Sequence, residues 1–326
     1  MNVTVIGAGA WGTALGNLLS QNGHAVTLWG HDPAHLAEMS RSGRNEIYLP
    51  GVDVSRALRF EPDLERSIQG AGWLAIAIPS RYFREITGRL SHFQGVAVSV
   101  TKGIEYESGL TMSGILAATM PKAAAAVLSG PSLALEVARE TPTAVVAAHR
   151  DPEIARQVQV LFHRPSFRVY RSQDVLGVEL GGAIKNVVAM AAGVCDGLGL
   201  GDNAKAGLIT RGLAEMRRLG QACGANPETF SGLSGLGDLV ATCHSRLSRN
   251  RSFGERAGRG EKIADILRST RTVAEGYPTA RAAYQLARKL GITVPIVDEV
   301  HALLYDGKEA RHALQDLISR DMKQED

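Results

Sequence analysis

The sequence is poor in aromatic residues, which make up 5% of its 326 residues. So few rings argue against a protein that binds single-stranded nucleic acid by stacking bases on aromatic side chains. A large excess of charge is also absent, because 36 Lys and Arg residues stand against 33 Asp and Glu residues, a formal net charge of +3. That balance predicts no nucleic-acid partner, but it is compatible with a small anionic ligand.

Cysteines and long apolar runs are scarce as well. The three cysteines are widely spaced and form no CxxC pair, so we expect no disulfide framework and a reducing, cytoplasmic location. Cys243-His244 lacks partners at metal-ligand spacing, and no metal site is predicted. No uninterrupted apolar run reaches about 18 residues, and glycines interrupt the apolar N-terminus. The sequence therefore predicts neither a membrane span nor a signal peptide.

The first half of the chain alternates short apolar runs with amphipathic segments. The strand candidates are Val3–Ile6, Ala25–Trp29, Leu74–Ile78, Val96–Val100, Ala126–Leu128 and Ala144–Ala148. Several are continuous runs of Val, Ile, Leu and Ala, which are typical of parallel strands buried on both faces. The alternation predicts a Rossmann-like, doubly wound α/β domain over residues 1–175 that binds a dinucleotide.

From about Asp174 onward the sequence shows few strand signals. The helix candidates are Val178–Gly193, Asn203–Ala222, Ile263–Ser269, Thr279–Leu290 and Val294–Leu304. We therefore expect a second, all-α domain over residues 176–326 that carries the substrate and the catalytic chemistry. Within it, the polar, Gly-rich segment Gly254–Gly260 predicts a mobile loop.

A G-x-G-x-x-G motif follows the first apolar run and opens a helical pattern. Gly7 permits a tight turn, Gly9 lets the backbone approach a pyrophosphate, and Gly12 allows close packing of helix on sheet. The N-terminus of the helix attracts the anion. The motif alone is common, but at the start of a βαβ unit it predicts a dinucleotide site.

The second strand candidate is followed by Gly30, His31 and Asp32. An acid at this place binds the 2′-hydroxyl of NAD, whereas a basic residue suits the 2′-phosphate of NADP. His31 precedes the acid, which slightly favours NADPH and leaves NAD open. The plain alternative is that His31 is only an exposed loop residue.

Two further segments end strand candidates, where ligands bind in open α/β sheets. Lys102 closes one, and we expect it to contact a phosphate or the nicotinamide. Gly130 and Ser132 close the other, and their amide and hydroxyl groups suit an anion. A solvated surface lysine and a structural turn are the alternatives.

An apolar helical stripe carries Lys185 beside Gly181 and Gly182. Glycines there weaken the helix but let another group, such as a ligand, approach closely. A desolvated lysine has a lowered pKa and serves as a general acid or base near neutrality. The alternative is a lysine whose stem packs while its head reaches water.

The densest glycine cluster precedes Asp238, and a polar run follows it. Asp238 is positioned to orient the lysine or a substrate hydroxyl, or else to cap a helix over Leu239–Cys243. The run around Ser248, Arg249 and Asn250 supplies groups that bind phosphate, whereas a solvated basic loop is the usual alternative.

Together these motifs resemble bacterial NAD(P)-dependent glycerol-3-phosphate dehydrogenases over nearly the whole chain. The resemblance is carried by GAGAWGTALG, NEIYLPG, SVTKGIE, LSGPSLALEV, ELGGAIKNVVAMAAG, TFSGLSGLGDLVATC, SRNR and TVAEG. The last five are far more specific than the first, which many dehydrogenases share. The resemblance implies reversible reduction of dihydroxyacetone phosphate to sn-glycerol 3-phosphate by NADPH or NADH, as a supply for glycerophospholipid synthesis. It also implies a homodimer.

The resemblance further implies a role for each matching residue. Lys185 donates and accepts the proton. The implied substrate contacts are Lys102, Gly130, Ser132, Lys185, Asp238, Ser248, Arg249 and Asn250. The implied cofactor contacts are Trp11, His31, Lys102, Ala134, Arg249, Val273 and Glu275, to which the motif adds Gly7, Gly9 and Gly12.

Two other functions stay open. A related reductase acting on another ketone or on a 2-hydroxy acid would leave the Ser248–Asn250 cluster unexplained. A non-catalytic dinucleotide sensor would need an output surface, such as a helix-turn-helix or a long basic patch, and the sequence shows neither.

Overall fold

The structure is a computed structural model that describes residues 1–269 and 273–321. The chain divides into two compact units. The first contains Met1–Glu105 and Leu110–Glu179, and the second contains Tyr106–Gly109 and the chain from Leu180 onward.

The first unit is built on one eight-stranded sheet. Its strands are β1 (Asn2–Ile6), β2 (Ala25–Trp29), β3 (Arg59–Glu61), β4 (Trp73–Ile76), β5 (Val96–Ser99), β6 (Ala124–Ser129), β7 (Thr143–Ala148) and β8 (Phe167–Ser172). Their order is β3-β2-β1-β4-β5-β6-β7-β8. The first six are parallel, β7 runs antiparallel to β6, and β8 is parallel to β7. This order confirms the predicted Rossmann-like sheet. The strands are added outward from β1 to β3 on one side, and the chain then crosses to the other side of β1 to form β4, which makes the β1–β4 boundary the switch point of the sheet.

Helices cover both faces of this sheet. They are α1 (Ala10–Gln21), α2 (Pro33–Ser42), α3 (Leu64–Ser67), α4 (Phe83–Gly88), α5 (Met112–Thr119), α6 (Ala134–Ala138) and α7 (Pro152–Phe162). Neighbouring residues of β1 enter different apolar clusters, Val5 with Leu15 of α1 and Ile6 with Phe83 of α4. Burial on both faces explains why these strands are continuous apolar runs.

The sequence analysis did not predict two of the strands, β3 and β8, and both lie at an edge of the sheet. β3 has only three residues and is largely polar. In β8, Phe167 and Val169 are buried, whereas Arg168 and Tyr170 are exposed. An edge strand needs only one apolar face, so its signal is alternation instead of a continuous run.

The second unit is helical, as predicted. Helix α8 (Val175–Leu198) begins in the first unit and continues into the second unit. The other helices are α9 (Gly201–Ala222), α10 (Asp238–His244), α11 (Arg249–Gly258), α12 (Ile263–Ser269), α13 (Gly276–Leu290), α14 (Pro295–Tyr305) and α15 (Ala310–Ile318). Helix α8 is long and apolar enough to cross a membrane, but 89% of its most apolar 18-residue window is buried inside the protein. We interpret α8 as a core helix.

The prediction of a mobile loop over Gly254–Gly260 was wrong, because α11 continues to Gly258. The glycines there serve helix packing. A Cβ atom on Gly254 would lie 1.9 Å from the Met190 carbonyl oxygen of α8, and one on Gly193 would lie 2.0 Å from the Arg251 carbonyl oxygen. The two helices therefore cross in direct backbone contact, which only glycine permits.

We predict that Gly254→Ala lowers the free energy of unfolding by at least about 2 kcal/mol, since the new methyl group has no room against α8. The matched control is Gly207→Ala in α9, where an added Cβ meets nothing within 4 Å. It should stabilise the protein by roughly 0.5–1 kcal/mol through helix propensity. Urea unfolding of both variants checks this. Equal stabilities for the two variants would contradict the packing argument.

A buried carboxylate joins α9 to α14. Glu215 accepts hydrogen bonds from the amides of Ile296 at 2.8 Å and Val297 at 3.3 Å, at the N-terminus of α14. Burial raises the pKa of Glu215 to about 7, despite those two hydrogen bonds, which lower it. Its folded pKa lies above its ordinary value of 4.5, so the folded state holds this proton more tightly than the unfolded state.

Glu215 therefore makes the protein less stable as the pH rises from about 4.5 to about 7, by about 3 kcal/mol in total. We predict that Glu215→Gln removes this loss. The difference in unfolding free energy between the variant and the wild-type protein should therefore grow in favour of the variant from pH 5 to pH 8. Denaturant titrations at several pH values measure it, and a difference independent of pH would refute the assignment.

Candidate active site

The glycine motif forms a tight turn between β1 and α1. Gly7 has a φ of +121°, and a Cβ on it would lie 2.6 Å from the Ala77 carbonyl oxygen next to β4. A Cβ on Gly12 would lie 1.8 Å from the Gly7 carbonyl oxygen. Gly9, by contrast, precedes α1 with open space at its Cβ position and no side-chain cap. The turn therefore leaves the backbone and first-turn amides of α1 accessible to an anion.

The two residues predicted to select the cofactor, His31 and Asp32, have different surroundings after β2. Asp32 caps α2, its Oδ1 accepting hydrogen bonds from the amides of Ala34 at 2.9 Å and His35 at 3.2 Å. Its carboxylate thus has a local structural partner. His31 is exposed, which fits both a 2′-phosphate contact and the plain loop alternative, so its role stays a prediction.

Lys102, Gly130 and Ser132 come together at the carboxyl ends of β5 and β6. The Lys102 Nζ donates to the Gly130 carbonyl oxygen at 2.8 Å and to the Ser132 Oγ at 3.4 Å. Ser132 donates to the same carbonyl at 2.9 Å. Lys102 is therefore not a freely solvated surface lysine. Elsewhere in this unit, Trp11 and Ala134 pack on one apolar cluster with Leu49.

In the second unit, Lys185 is buried in a polar cluster. Its Nζ lies 2.9 Å from Asp238 Oδ1 and donates to Thr242 Oγ1 at 2.6 Å. Thr242 in turn donates to Asp238 Oδ1 at 3.2 Å. Lys185 is 5% exposed and Asp238 is 2% exposed, so the alternative of a lysine head reaching bulk water was wrong. A buried lysine with a specific carboxylate partner is an arrangement found both at functional sites and in structural ion pairs, so its acid–base role stays a prediction.

Thr242 is the member of this cluster that sequence reasoning missed. It lies four residues after Asp238 in α10, on the same helix face. That spacing was a usable signal, because a hydroxyl at this position reaches whatever the carboxylate binds.

Close backbone packing positions the helices that carry Lys185 and Asp238. A Cβ on Gly181 would lie 2.7 Å from the Ser234 carbonyl oxygen, so a neighbouring backbone, not a ligand, occupies the space beside this glycine. That backbone is the start of a π-helical turn, Leu233–Gly237, which leads directly into α10. Asp238 is the first residue of α10 and follows its N-cap, Gly237, so the proposed capping role was wrong.

An amide bridge joins three helices beside Lys185. Asn250 of α11 donates through Nδ2 to the Asn186 Oδ1 of α8 at 2.8 Å. The Asn250 Oδ1 accepts from the Gly276 amide, at the start of α13, at 2.9 Å. Both asparagines are buried. The side chain of Asn250 is therefore engaged in the scaffold.

The N-terminus of α11 carries the predicted phosphate-binding residues. Ser248 caps it, accepting a hydrogen bond from the Arg251 amide at 3.2 Å. Arg249 retains solvent contact. Surrounding protein lowers the pKa of its guanidinium by desolvation, whereas the Glu275 carboxylate raises it. Val273, near Glu275, is half-buried, and Thr272 of the TVAEG motif lies outside the described residues.

We predict that Asn250→Ala lowers the free energy of unfolding by about 2 kcal/mol or more, because it leaves the Gly276 amide and the Asn186 carbonyl buried without partners. Asn203→Ala, at an exposed position of α9, serves as the control and should change stability by at most about 0.5 kcal/mol. Thermal or denaturant unfolding measures both. A small effect at Asn250 would show that the bridge is not a scaffold.

Comparison with known proteins identifies the family of this chain. Residues 2–155 match a family model described as the N-terminus of NAD-dependent glycerol-3-phosphate dehydrogenase, and residues 174–315 match the model of its C-terminus. A glycerol-3-phosphate dehydrogenase (NAD(P)+) from Geobacter sulfurreducens is 50% identical over 99% of this chain and 98% of its own. One from Geobacter metallireducens has the same identity and coverage.

A solved structure is also similar over its full length. The crystal structure of glycerol-3-phosphate dehydrogenase from Coxiella burnetii matches with a TM-score of 0.94 and 38% identity. The match covers 98% of this chain and 99% of that one. The family models, the curated relatives and the solved structure thus point to the same family.

Proposed function

The chain belongs to the NAD-dependent glycerol-3-phosphate dehydrogenase family, and on that premise we propose that it reduces dihydroxyacetone phosphate to sn-glycerol 3-phosphate, reversibly, with NADPH or NADH. The observation that carries the proposal is the buried cluster of Lys185, Asp238 and Thr242. It provides a fixed proton donor, which the reduction of a ketone needs.

The first unit is suited to hold the dinucleotide. The open backbone at Gly9 and the N-terminus of α1 would receive the pyrophosphate. When bound, the nicotinamide supplies the hydride. Trp11, His31, Lys102 and Ala134 complete the proposed cofactor contacts in this unit, and Gly130 and Ser132 join Lys102 as proposed substrate contacts. His31 favours NADPH over NADH only slightly.

The second unit is suited to bind the substrate phosphate. Arg249 supplies a guanidinium, and the first amides of α11 have no acceptor within their helix. Because both polar atoms of the Asn250 side chain have protein partners, we propose that its contact with phosphate comes from its backbone amide. Glu275, whose charge acts on Arg249, and Val273 are the proposed cofactor contacts in this unit.

Lys185 is the proposed general acid. In the reduction, its ammonium group donates a proton to the alkoxide that forms as hydride reaches the ketone carbon. Asp238 matches the charge of the ammonium, and the Thr242 hydroxyl fixes its direction. A preorganised donor needs no rearrangement during the reaction, which is where such a site gains most of its rate.

We extend the proposal to the organisation of the protein. Residues 1–175 would form the dinucleotide-binding domain, which also adds substrate contacts through Lys102, Gly130 and Ser132. Residues 176–326 would form the helical substrate and catalytic domain, which also adds cofactor contacts through Val273 and Glu275. The family resemblance supports a cytoplasmic homodimer, and the three cysteines without disulfide partners fit a reducing compartment. The product would serve glycerophospholipid synthesis.

The test is the loss of NADPH, and separately of NADH, when purified protein meets dihydroxyacetone phosphate. We expect oxidation of at least one cofactor, and the ratio of the two rates gives the preference. If the protein binds a reduced cofactor but oxidises neither, the substrate assignment fails.

Lys185→Arg tests the acid directly. Arginine keeps the charge beside Asp238 but does not give up a proton at neutral pH. We expect kcat to fall by roughly 10²- to 10⁴-fold with little change in cofactor affinity. Lys289→Gln, at an exposed lysine of α13, is the control, and its kcat should equal that of the wild-type protein. Near wild-type turnover by Lys185→Arg would refute the role.

A further inference from the structure

A polar cavity lies along α11, within the second unit. It has a volume of about 330 Å³ and is open to solvent. Its polar lining consists of three arginines and three serines, which are Arg246, Arg249, Arg256, Ser248, Ser252 and Ser269. A leucine and a phenylalanine complete the lining. No carboxylate is among the lining side chains. Guanidinium and hydroxyl groups without a lining acid are the donor set that binds phosphate.

The cavity lies on a different face of α11 from the lysine cluster. Asn250 and Gly254 turn toward α8, where Asn186 and Met190 meet them. Ser252 and Arg256 are displaced from those positions by about half a helical turn. A ligand in the cavity would therefore not contact the Lys185 group through this helix.

The three arginines differ in how their charge is matched. Arg256 donates to Glu261 through Nε at 2.7 Å and to Ser269 at 2.7 Å, which fixes one wall of the cavity. Arg249 is exposed. Desolvation by the surrounding protein lowers the pKa of its guanidinium, and the Glu275 carboxylate acts on its charge and raises that pKa. Arg246 is exposed, and within residues 1–269 and 273–321 it has no ion-pair or hydrogen-bond partner. The cavity therefore has positive charge that a bound anion would match.

We propose that this cavity is a second anion site, which binds a phosphate group, either inorganic phosphate or a phosphate monoester. Arg246 and Arg249 bind the anion, and the Ser252 hydroxyl donates to it. Arg249 lies at the boundary with the proposed substrate site. If the proposed function holds, an anion here competes for Arg249 and raises the KM for dihydroxyacetone phosphate.

The binding claim is tested without any turnover, by calorimetric titration of the full chain with inorganic phosphate at low ionic strength. We expect Arg246→Gln to weaken binding at least tenfold and Ser252→Ala to weaken it less. Arg268→Gln on neighbouring α12 is the matched control, because it removes the same charge from a surface pair with Asp265. It should leave binding within twofold.

Two results would overturn the proposal. If Arg246→Gln binds phosphate as the wild-type protein does, the anion binds elsewhere, at the Lys185 site or as an adventitious ion only. If Arg268→Gln weakens binding as much as Arg246→Gln, the effect is net charge and not a site. Titrations with glycerol 3-phosphate and with sulfate then distinguish a monoester site from one for a free oxyanion.

Kinetics separate this proposal from the proposed function. In the wild-type protein, added phosphate should raise the KM for dihydroxyacetone phosphate and leave kcat unchanged. In Arg246→Gln that rise should be several-fold smaller. If the protein shows no reduction at all while Arg246 still governs phosphate binding, the proposed function fails and the anion site stands.

Discussion

The buried ion pair between Lys185 and Asp238 is the constraint on which the second unit depends. Removing an ammonium and a carboxylate from water costs several kcal/mol for each ion, and their attraction offsets this only with good geometry and further hydrogen bonds. The 2.9 Å separation and the Thr242 hydroxyl meet that condition. Helices α8 and α10 must therefore hold one relative position, because a small displacement would leave a buried charge unmatched.

Close backbone contacts supply the required rigidity. Gly181 lets the turn before α10 approach α8, and Gly193 and Gly254 let α8 and α11 cross without intervening side chains. Asn250 then ties α11 to α8 and to the start of α13. One helix, α8, thus fixes the lysine, its carboxylate partner and the N-terminus that presents Arg249. Packing at glycines is well suited to fixing the relative positions of these helices, because backbone atoms have no side-chain rotamers that could rearrange.

The sequence predicted those features whose signal is local. The parallel strands, the turn at Gly7 and the all-α second unit follow from apolar runs and from motif position. The edge strand β8 was missed because it alternates, and Gly254–Gly260 was predicted as a loop because glycine in a polar segment usually marks one. Composition cannot distinguish a glycine that turns the chain from one that another helix approaches. That difference depends on tertiary contact, as does the partnership of Asp238, which local reasoning left open between a cap and an ion pair.

The two proposed phosphate-binding helix ends illustrate how similar physics gives different selectivity. The N-cap of helix α1 is Gly9, where no side chain fills the space, so an extended pyrophosphate would have room to lie against the backbone. The N-cap of helix α11 is Ser248, whose hydroxyl accepts a hydrogen bond from the Arg251 amide, and Arg249 is the first residue of the helix. An anion bound there would meet a charged side chain and fewer free amides, an arrangement that suits a terminal phosphate. The Glu275 carboxylate acts on the charge of this guanidinium, and Arg249 also lines the cavity that contains Arg246.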